Sequence, residues 1–346
     1  MESKKIRFAV VGCGHIGKRH ASMIVGNSNF ELVALCDVKN KEQLGLENFS
    51  GVSFFNSLDA LIESGILIDA VAITTPNGYH QQQALKVLEN NWHVVIEKPI
   101  ALTKAGCEEI IFKALQKNKQ VFCVMQNRYS PPSVWLKDII NDGILGKIYM
   151  VQINCYWNRD DRYYKPDPNT NKPTTWHGTK ELDGGTLFTQ FSHFIDLMYW
   201  YFGDIKNINA RFNDFNHQKS TDFEDSGFVS FDFVDGGIGS LNYSTAIWDK
   251  NLESSITVIA ENGSLKVGGQ YMNEVEYCHI KGYEMPVLKE SNPPNDYGPY
   301  KGSAANHHYI YENIAEVFSG KSNITTNALE GLKVVEIIER IYRLKN

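Results

Sequence analysis

Three stretches of this 346-residue chain carry residue types that can do chemistry. The first is Gly12-Cys13-Gly14-His15-Ile16-Gly17, a G-x-G-x-x-G that follows the apolar run Ile6–Val11 and opens helical spacing to about Val25. In that context Gly12 permits a tight turn, Gly14 lets the backbone approach a pyrophosphate, and Gly17 lets the helix pack on the strand. The helix N-terminus then faces the phosphates. The next apolar run, Phe30–Cys36, leads into Asp37, 25 residues after Gly12. A carboxylate there accepts both hydroxyls of an adenosine ribose and repels a 2′-phosphate, so NAD is favoured over NADP. Lys39 pulls the other way. The alternative is a glycine-rich turn with an incidental Asp.

The second stretch is Glu97-Lys98-Pro99, which ends the apolar run Trp92–Ile96. A lysine at that edge, close to a nicotinamide, can polarise a substrate oxygen; otherwise it is a solvated surface lysine. Thr74-Thr75-Pro76-Asn77 ends the run Ile68–Thr74 in the same way. Loops at the carboxyl ends of parallel strands are where such sheets bind ligands, and Asn77 can equally cap the next helix. The third stretch is Gly184–Asp196. His193 and Asp196 are three apart and share a helical face. No HxxxH or HExxH places a second histidine beside His193, so a metal site is not expected. A lone histidine in an apolar helix is otherwise a satisfied core residue.

The surrounding pattern supplies elements to hold these residues. Through about residue 125, apolar runs alternate with amphipathic segments: Asn77–Glu89 reads as a helix, Thr103 caps another to about Gln116, and Gln120–Val124 closes the series. That alternation predicts an α/β unit with a doubly wound parallel sheet, a Rossmann arrangement. Beyond it a helix follows Pro131–Pro132. Alternating strands then dominate: Tyr149–Tyr156, Gly227–Phe233, Gly237–Tyr243, Ser255–Ile259 and Ser264–Val267. Asp235-Gly236 and Asn262-Gly263 are turn pairs between them. One helix, Thr186–Tyr201, interrupts the strands, Asp160–Pro173 reads as a long loop, and helices at Ala304–Phe318 and Ala328–Leu344 close the chain. The expected division is 1–125 for nucleotide binding and 126–346 for an α+β domain on a largely antiparallel open sheet, the last helix packing back on the first domain.

Hydrophobic residues make up 42% and charged residues 21%, enough for sizeable cores and inconsistent with disorder. A net charge of −6 without a long basic run argues against nucleic acid and anionic membranes. No apolar stretch approaches the roughly 20 residues needed to span a bilayer, and the opening MESKKIRFAVVG lacks a signal core. The six cysteines form no CxxC pair, so free core thiols and a cytoplasmic setting are expected.

Taken in order, Val10–His20, Asp37, Thr74–His80, EKPI at Glu97–Ile100 and GGTLFTQFSHFIDL at Gly184–Leu197 resemble the Gfo/Idh/MocA oxidoreductase family over almost the whole chain. The resemblance implies NAD-dependent oxidation or reduction of a sugar or cyclitol carbon and an even-numbered homo-oligomer, a dimer or tetramer, through the open sheet. It implies cofactor contacts from Gly12, Gly14, His15, Ile16, Gly17, Asp37, Thr74, Thr75, Pro76, Asn77, His80, Glu97, Lys98 and Gln126. Lys98 contacts the reacting hydroxyl, His193 is the general acid/base, and the peptide before Pro99 is often cis. Many members carry Asp four residues before the histidine. Thr189 stands there instead and cannot take up a proton, so transfer rests on His193 with Lys98.

Cys155–Tyr164, Thr174–Trp200 and Asn251–Gly269 narrow the resemblance to the UDP-N-acetylglucosaminuronate 3-dehydrogenases of bacterial surface-polysaccharide (lipopolysaccharide) synthesis. The substrate is then an anionic nucleotide sugar, with 2-oxoglutarate a candidate co-substrate. Substrate contacts fall to Lys98, Arg128, Arg159, Arg162, Thr189, Gln190, Ser192, His193 and His307. Alternatives are the same chemistry on another sugar or cyclitol, and a non-catalytic NAD-binding regulator.

Overall fold

Ile6–Val11 (β1) is apolar almost throughout, and its last four side chains are buried. A strand covered on both faces needs helices above and below it, and the chain supplies them by alternation. Phe30–Cys36 (β2), Ser53–Phe55 (β3), Ala70–Ile73 (β4), His93–Ile96 (β5) and Val121–Cys123 (β6) pair in parallel with β1 in the order β3-β2-β1-β4-β5-β6. Helices His15–Gly26, Leu58–Glu63, His80–Glu89 and Lys104–Lys117 lie between them in sequence. Thr103 caps the last of these, its side chain accepting the Gly106 N–H at 3.0 Å. The strand order reverses between β1 and β4. The turns after those strands therefore open at the carboxyl edge where such sheets take ligands.

The computed structural model describes residues 5–167, 169, 175–298 and 300–345. They divide into two compact units: Met1–Met125 with His307–Val335, and Gln126–Asn306 with Glu336–Asn346. The sequence divides at residue 125 by its pattern, with only the last helix expected back on the first domain. His307–Val335 instead joins the first, because β6 is an outer strand with backbone groups to satisfy. Cys123 N–H donates to the Thr326 carbonyl at 2.9 Å, and Phe122 pairs with Asn327. Tyr311 packs edge-on against Phe8 and Phe30. The closing helix, Ala328–Tyr342, crosses the division between the two units.

The second unit is built on a seven-stranded sheet. Its strands are Ile148–Tyr156 (β7), Ile205–Asn213 (β8), Ser226–Phe233 (β9), Ile238–Ser244 (β10), Glu253–Ala260 (β11), Gly263–Gly268 (β12) and Glu274–Ile280 (β13), in the order β13-β12-β11-β7-β10-β9-β8. All neighbours are antiparallel except β7 and β10. Alternation puts Val151, Ile153, Val229, Phe231, Leu241 and Val258 on a buried face. Phe191 and Phe202 pack there, against Tyr243 and Phe233. The other face carries Gln152, Ser230, Asn242 and Thr257, with Phe228, Ile238 and Ile259 exposed among them. The outer strands β8 and β13 escaped the sequence reading because their polar, exposed residues hide the alternation. So did the short pair Pro294–Asp296 and Lys301–Ala304 (β14 and β15).

Two local departures bear on the site. The predicted helix Thr186–Tyr201 is a π-helical turn, Leu187–Phe191, followed by an α-helix, Ser192–Phe202. Such turns recur at functional sites because the added residue rotates the side chains that follow. Within the predicted loop Asp160–Pro173, Asp161–Tyr164 forms a short helix whose first turn Asp160 caps through the Arg162 N–H; residues 168 and 170–173 lie outside the described residues.

Candidate active site

In the first unit the glycine-rich turn is shaped by what each glycine excludes. Gly12 has φ +90°, and a Cβ there would lie 2.8 Å from the Thr74 backbone. At Gly17 a Cβ would stand 1.8 Å from the Gly12 carbonyl oxygen. Gly14 meets nothing within 4 Å, so its exposed face is open to a ligand backbone cannot otherwise reach. Helix His15–Gly26 has no side-chain cap, which leaves its first amides to an anion. Asp37 braces the turn. Its Oδ2 accepts the Cys13 N–H at 2.7 Å, and its Oδ1 accepts the Lys39 N–H at 2.9 Å. These features fit a dinucleotide: an open glycine for the pyrophosphate, and a carboxylate at the end of β2 for a ribose.

Thr74 donates to the Gly12 carbonyl, tying the turn after β4 to the turn after β1. His80 is fully buried, with Nδ1 2.7 Å from the Pro99 carbonyl oxygen and Nε2 2.8 Å from that of Thr75. Burial lowers its pKa against those two carbonyls, which favour the charged form. His80 therefore joins the loops after β4 and β5. The Lys98–Pro99 peptide is cis. Glu97 is buried and Lys98 half-buried. Gly12, Gly14, Gly17, Asp37, Thr74–Asn77, Glu97 and Lys98 thus gather at one sheet edge; His15 is exposed and Ile16 half-buried beside them.

In the second unit His193 opens the helix that follows the π turn, 2% exposed. Gln126, a cofactor contact by resemblance, puts its Nε2 3.3 Å from His193 Nε2 and donates to Ser303 Oγ at 2.9 Å. Thr189, Gln190 and Ser192 are buried around the same turn. Gln190 accepts from Arg159 Nε at 2.7 Å and donates to the Tyr163 hydroxyl at 2.9 Å.

Arg159 is 2% exposed, and its hydrogen-bond acceptors are all neutral: Gln190, Asn251 and the carbonyls of Asn158 and Lys301. Trp157, Tyr163 and Tyr300 face its guanidinium. Burial pushes its pKa down. A buried cation without a carboxylate partner among the described residues is an electrostatic demand that an anionic ligand would meet.

The other basic candidates go elsewhere. Arg128 is 2% exposed and forms a two-point ion pair with Asp196, Nε to Oδ2 at 2.8 Å and Nη2 to Oδ1 at 2.6 Å. Its charge is met inside the second unit by that carboxylate. Arg162 bonds Asp160 and Asp249 on the surface. His307 turns to Glu97 in the first unit. Sequence reasoning missed Ser303 and Asn251, polar residues without motif context. It also left His20 unassigned, although that residue closes the glycine-motif stretch Val10–His20.

Comparison with known proteins agrees with this geometry. A profile for an oxidoreductase family with an NAD-binding Rossmann fold matches residues 6–125, and the GFO/IDH/MocA C-terminal domain profile matches residues 134–266. The WlbA dehydrogenase of Bordetella pertussis, solved with NADH and UDP-GlcNAcA, is 30% identical with a TM-score of 0.84, covering 99% of this chain and 96% of that one. The WlbA enzyme of Chromobacterium violaceum, solved with the same two ligands, is 29% identical with a TM-score of 0.86, covering 99% and 94%. D-glucoside 3-dehydrogenase of Escherichia coli is 27% identical over 71% of this chain and 72% of its own. Matched in both its nucleotide-binding unit and its sheet unit, the chain belongs to the Gfo/Idh/MocA family of NAD-dependent oxidoreductases.

Proposed function

We propose that this chain oxidises the C3 hydroxyl of a UDP-N-acetylglucosaminuronate-type nucleotide sugar, giving the 3-keto sugar for surface-polysaccharide synthesis. The observation that carries the reading is the likeness, over nearly the whole chain, to two WlbA dehydrogenases solved with NADH and UDP-GlcNAcA. The uncompensated charge of Arg159 supports it, since such a substrate brings a diphosphate and a uronate to be bound.

NAD held at the Gly12–Gly17 turn and Asp37 would supply the hydride acceptor for the sugar carbon. The protein handles the proton. Gln126 Nε2–H donates to His193 Nε2, which marks that atom as the unprotonated nitrogen of a neutral ring; the sugar hydroxyl would replace the Gln126 amide as the donor to it. His193 accepts the hydroxyl proton as the C–H bond breaks. The family resemblance assigns Lys98 of the first unit to stabilising, through its ammonium group, negative charge that develops on a substrate oxygen. Thr189 cannot take up a proton at neutral pH, which leaves His193 as the proton acceptor.

Mass spectrometry of the protein incubated with NAD, 2-oxoglutarate and UDP-N-acetylglucosaminuronate tests the reading. The expected product is about two mass units lighter than the substrate, the mass of the two hydrogens removed. Appearance of 2-hydroxyglutarate would add recycling of the cofactor by 2-oxoglutarate; stoichiometric oxidation alone would remove it. An untouched sugar with NAD bound would overturn the substrate assignment in favour of another sugar or cyclitol. A dimer or tetramer through the open sheet face belongs to the same reading, supported by exposed Phe228, Ile238 and Ile259, and light scattering checks it.

A further inference from the structure

We infer that three buried histidines, His20, His80 and His307, are positioning residues for Lys98, acting through the backbone and side chain of its two neighbours. The inference rests on the role given to Lys98 above. All the groups involved lie in the first unit.

Glu97 Oε1 lies 3.0 Å from His20 Nε2 and 3.4 Å from His307 Nε2. Its Oε2 accepts the Lys98 N–H at 3.2 Å. On the far side His80 holds the Pro99 carbonyl. Lys98 is therefore held on both sides, through the carboxylate of the residue before it and the carbonyl of the residue after it. The three imidazoles come from three separate helices, His15–Gly26, His80–Glu89 and His307–Phe318. The network continues one shell outward, where His20 Nδ1 sits 2.7 Å from the Tyr311 hydroxyl. Tyr311 is four residues beyond His307, so both present the same helix face.

Stability alone does not account for this arrangement. Burial opposes the Glu97 charge, and the His20 hydrogen bond together with the nearby His307 ring overcomes it, holding the carboxyl well below its usual range. Apolar residues of similar volume commonly serve a fold as well as or better than a buried ionic cluster. What the cluster supplies is an oriented carboxylate whose second oxygen fixes the amide of Lys98. A small misplacement of a reacting group has a large effect on rate and a small one on binding.

The test compares His307→Gln, His20→Gln and Tyr311→Phe, alone and combined with Lys98→Met, using NAD and UDP-N-acetylglucosaminuronate. His307→Gln and His20→Gln are expected to lower kcat about 10- to 100-fold, with the KM for sugar and the NAD Kd within about threefold. Tyr311→Phe, which removes one hydroxyl, is expected to lower kcat by a smaller factor in the same direction. Residues that act through Lys98 add nothing once it is gone, so in the Lys98→Met background none should reduce the residual rate further. An unchanged kcat in the single variants, or the same fractional loss with and without Lys98, would overturn the inference. If a glutamine variant fails to fold, Tyr311→Phe carries the same comparison. Near-normal turnover in Lys98→Met would sink the Lys98 reading itself, a distinct result.

Discussion

Gly17 lies directly against the carbonyl of Gly12, so close that an added methyl group would stand 1.8 Å from that oxygen. Gly14, between them, touches nothing within 4 Å and has φ −66°, which any residue can adopt. The two glycines should therefore respond differently to one extra carbon. Gly14→Ala should change stability by less than about 1 kcal/mol and weaken NAD binding at least about tenfold. Gly17→Ala should destabilise the first unit by about 1–3 kcal/mol or more. Denaturant titration with NAD fluorescence quenching separates the two; equal NAD affinity in Gly14→Ala and wild type would remove the pyrophosphate from that face.

Arg159 offers a second contrast. Arg159→Met keeps much of the volume and removes the charge. It should raise the KM for UDP-N-acetylglucosaminuronate about tenfold or more while leaving the NAD Kd in place. Calorimetry with the uronate and with its neutral C6-alcohol counterpart shows whether the charge matters. If the variant loses equal affinity for both, Arg159 does not read the carboxylate.

Removing one partner of the Arg128–Asp196 pair should be costly, because it strands a buried charge. Asp196→Asn is expected to destabilise by about 3–5 kcal/mol. Urea unfolding measures this. A change below about 1 kcal/mol would mean that Arg128 has found another anion, returning it to the candidates for substrate binding.

His93 links stability to pH. Burial, then the nearby charge of Lys119, lowers its pKa to about 4. Its Nδ1 accepts the Gln120 N–H at 2.9 Å, a bond that protonation there would break. The unfolded chain takes up this proton near the ordinary value of about 6.5, the folded chain only near about 4. The His93 contribution is therefore intact above the ordinary value and is lost as pH falls through that window. His93→Asn should show a shallower fall in Tm between pH 7 and pH 5 than wild type by calorimetry; identical slopes would remove His93 from the linkage.

Much of the first unit could be read from residue types in order because its signals are local. Strand, glycine turn and helix follow one another between Ile6 and Val25, and Asp37 comes at the end of the next strand. Short-range sterics and hydrogen bonding determine such segments, and a parallel sheet then puts their carboxyl ends on one edge. The chain order of motifs likewise marks Lys98 and His193 as candidates. Tertiary packing decided what spacing does not encode. Glu97 meets His20 across 77 residues, and Tyr311 meets His20 across 291. Arg128 looked available until Asp196, 68 residues on, took its charge. Arg159 looked like one more loop charge until burial left it among neutral acceptors. Coulomb and hydrogen-bond partners are chosen by distance in space, and only the folded chain brings those distances down to about 3 Å.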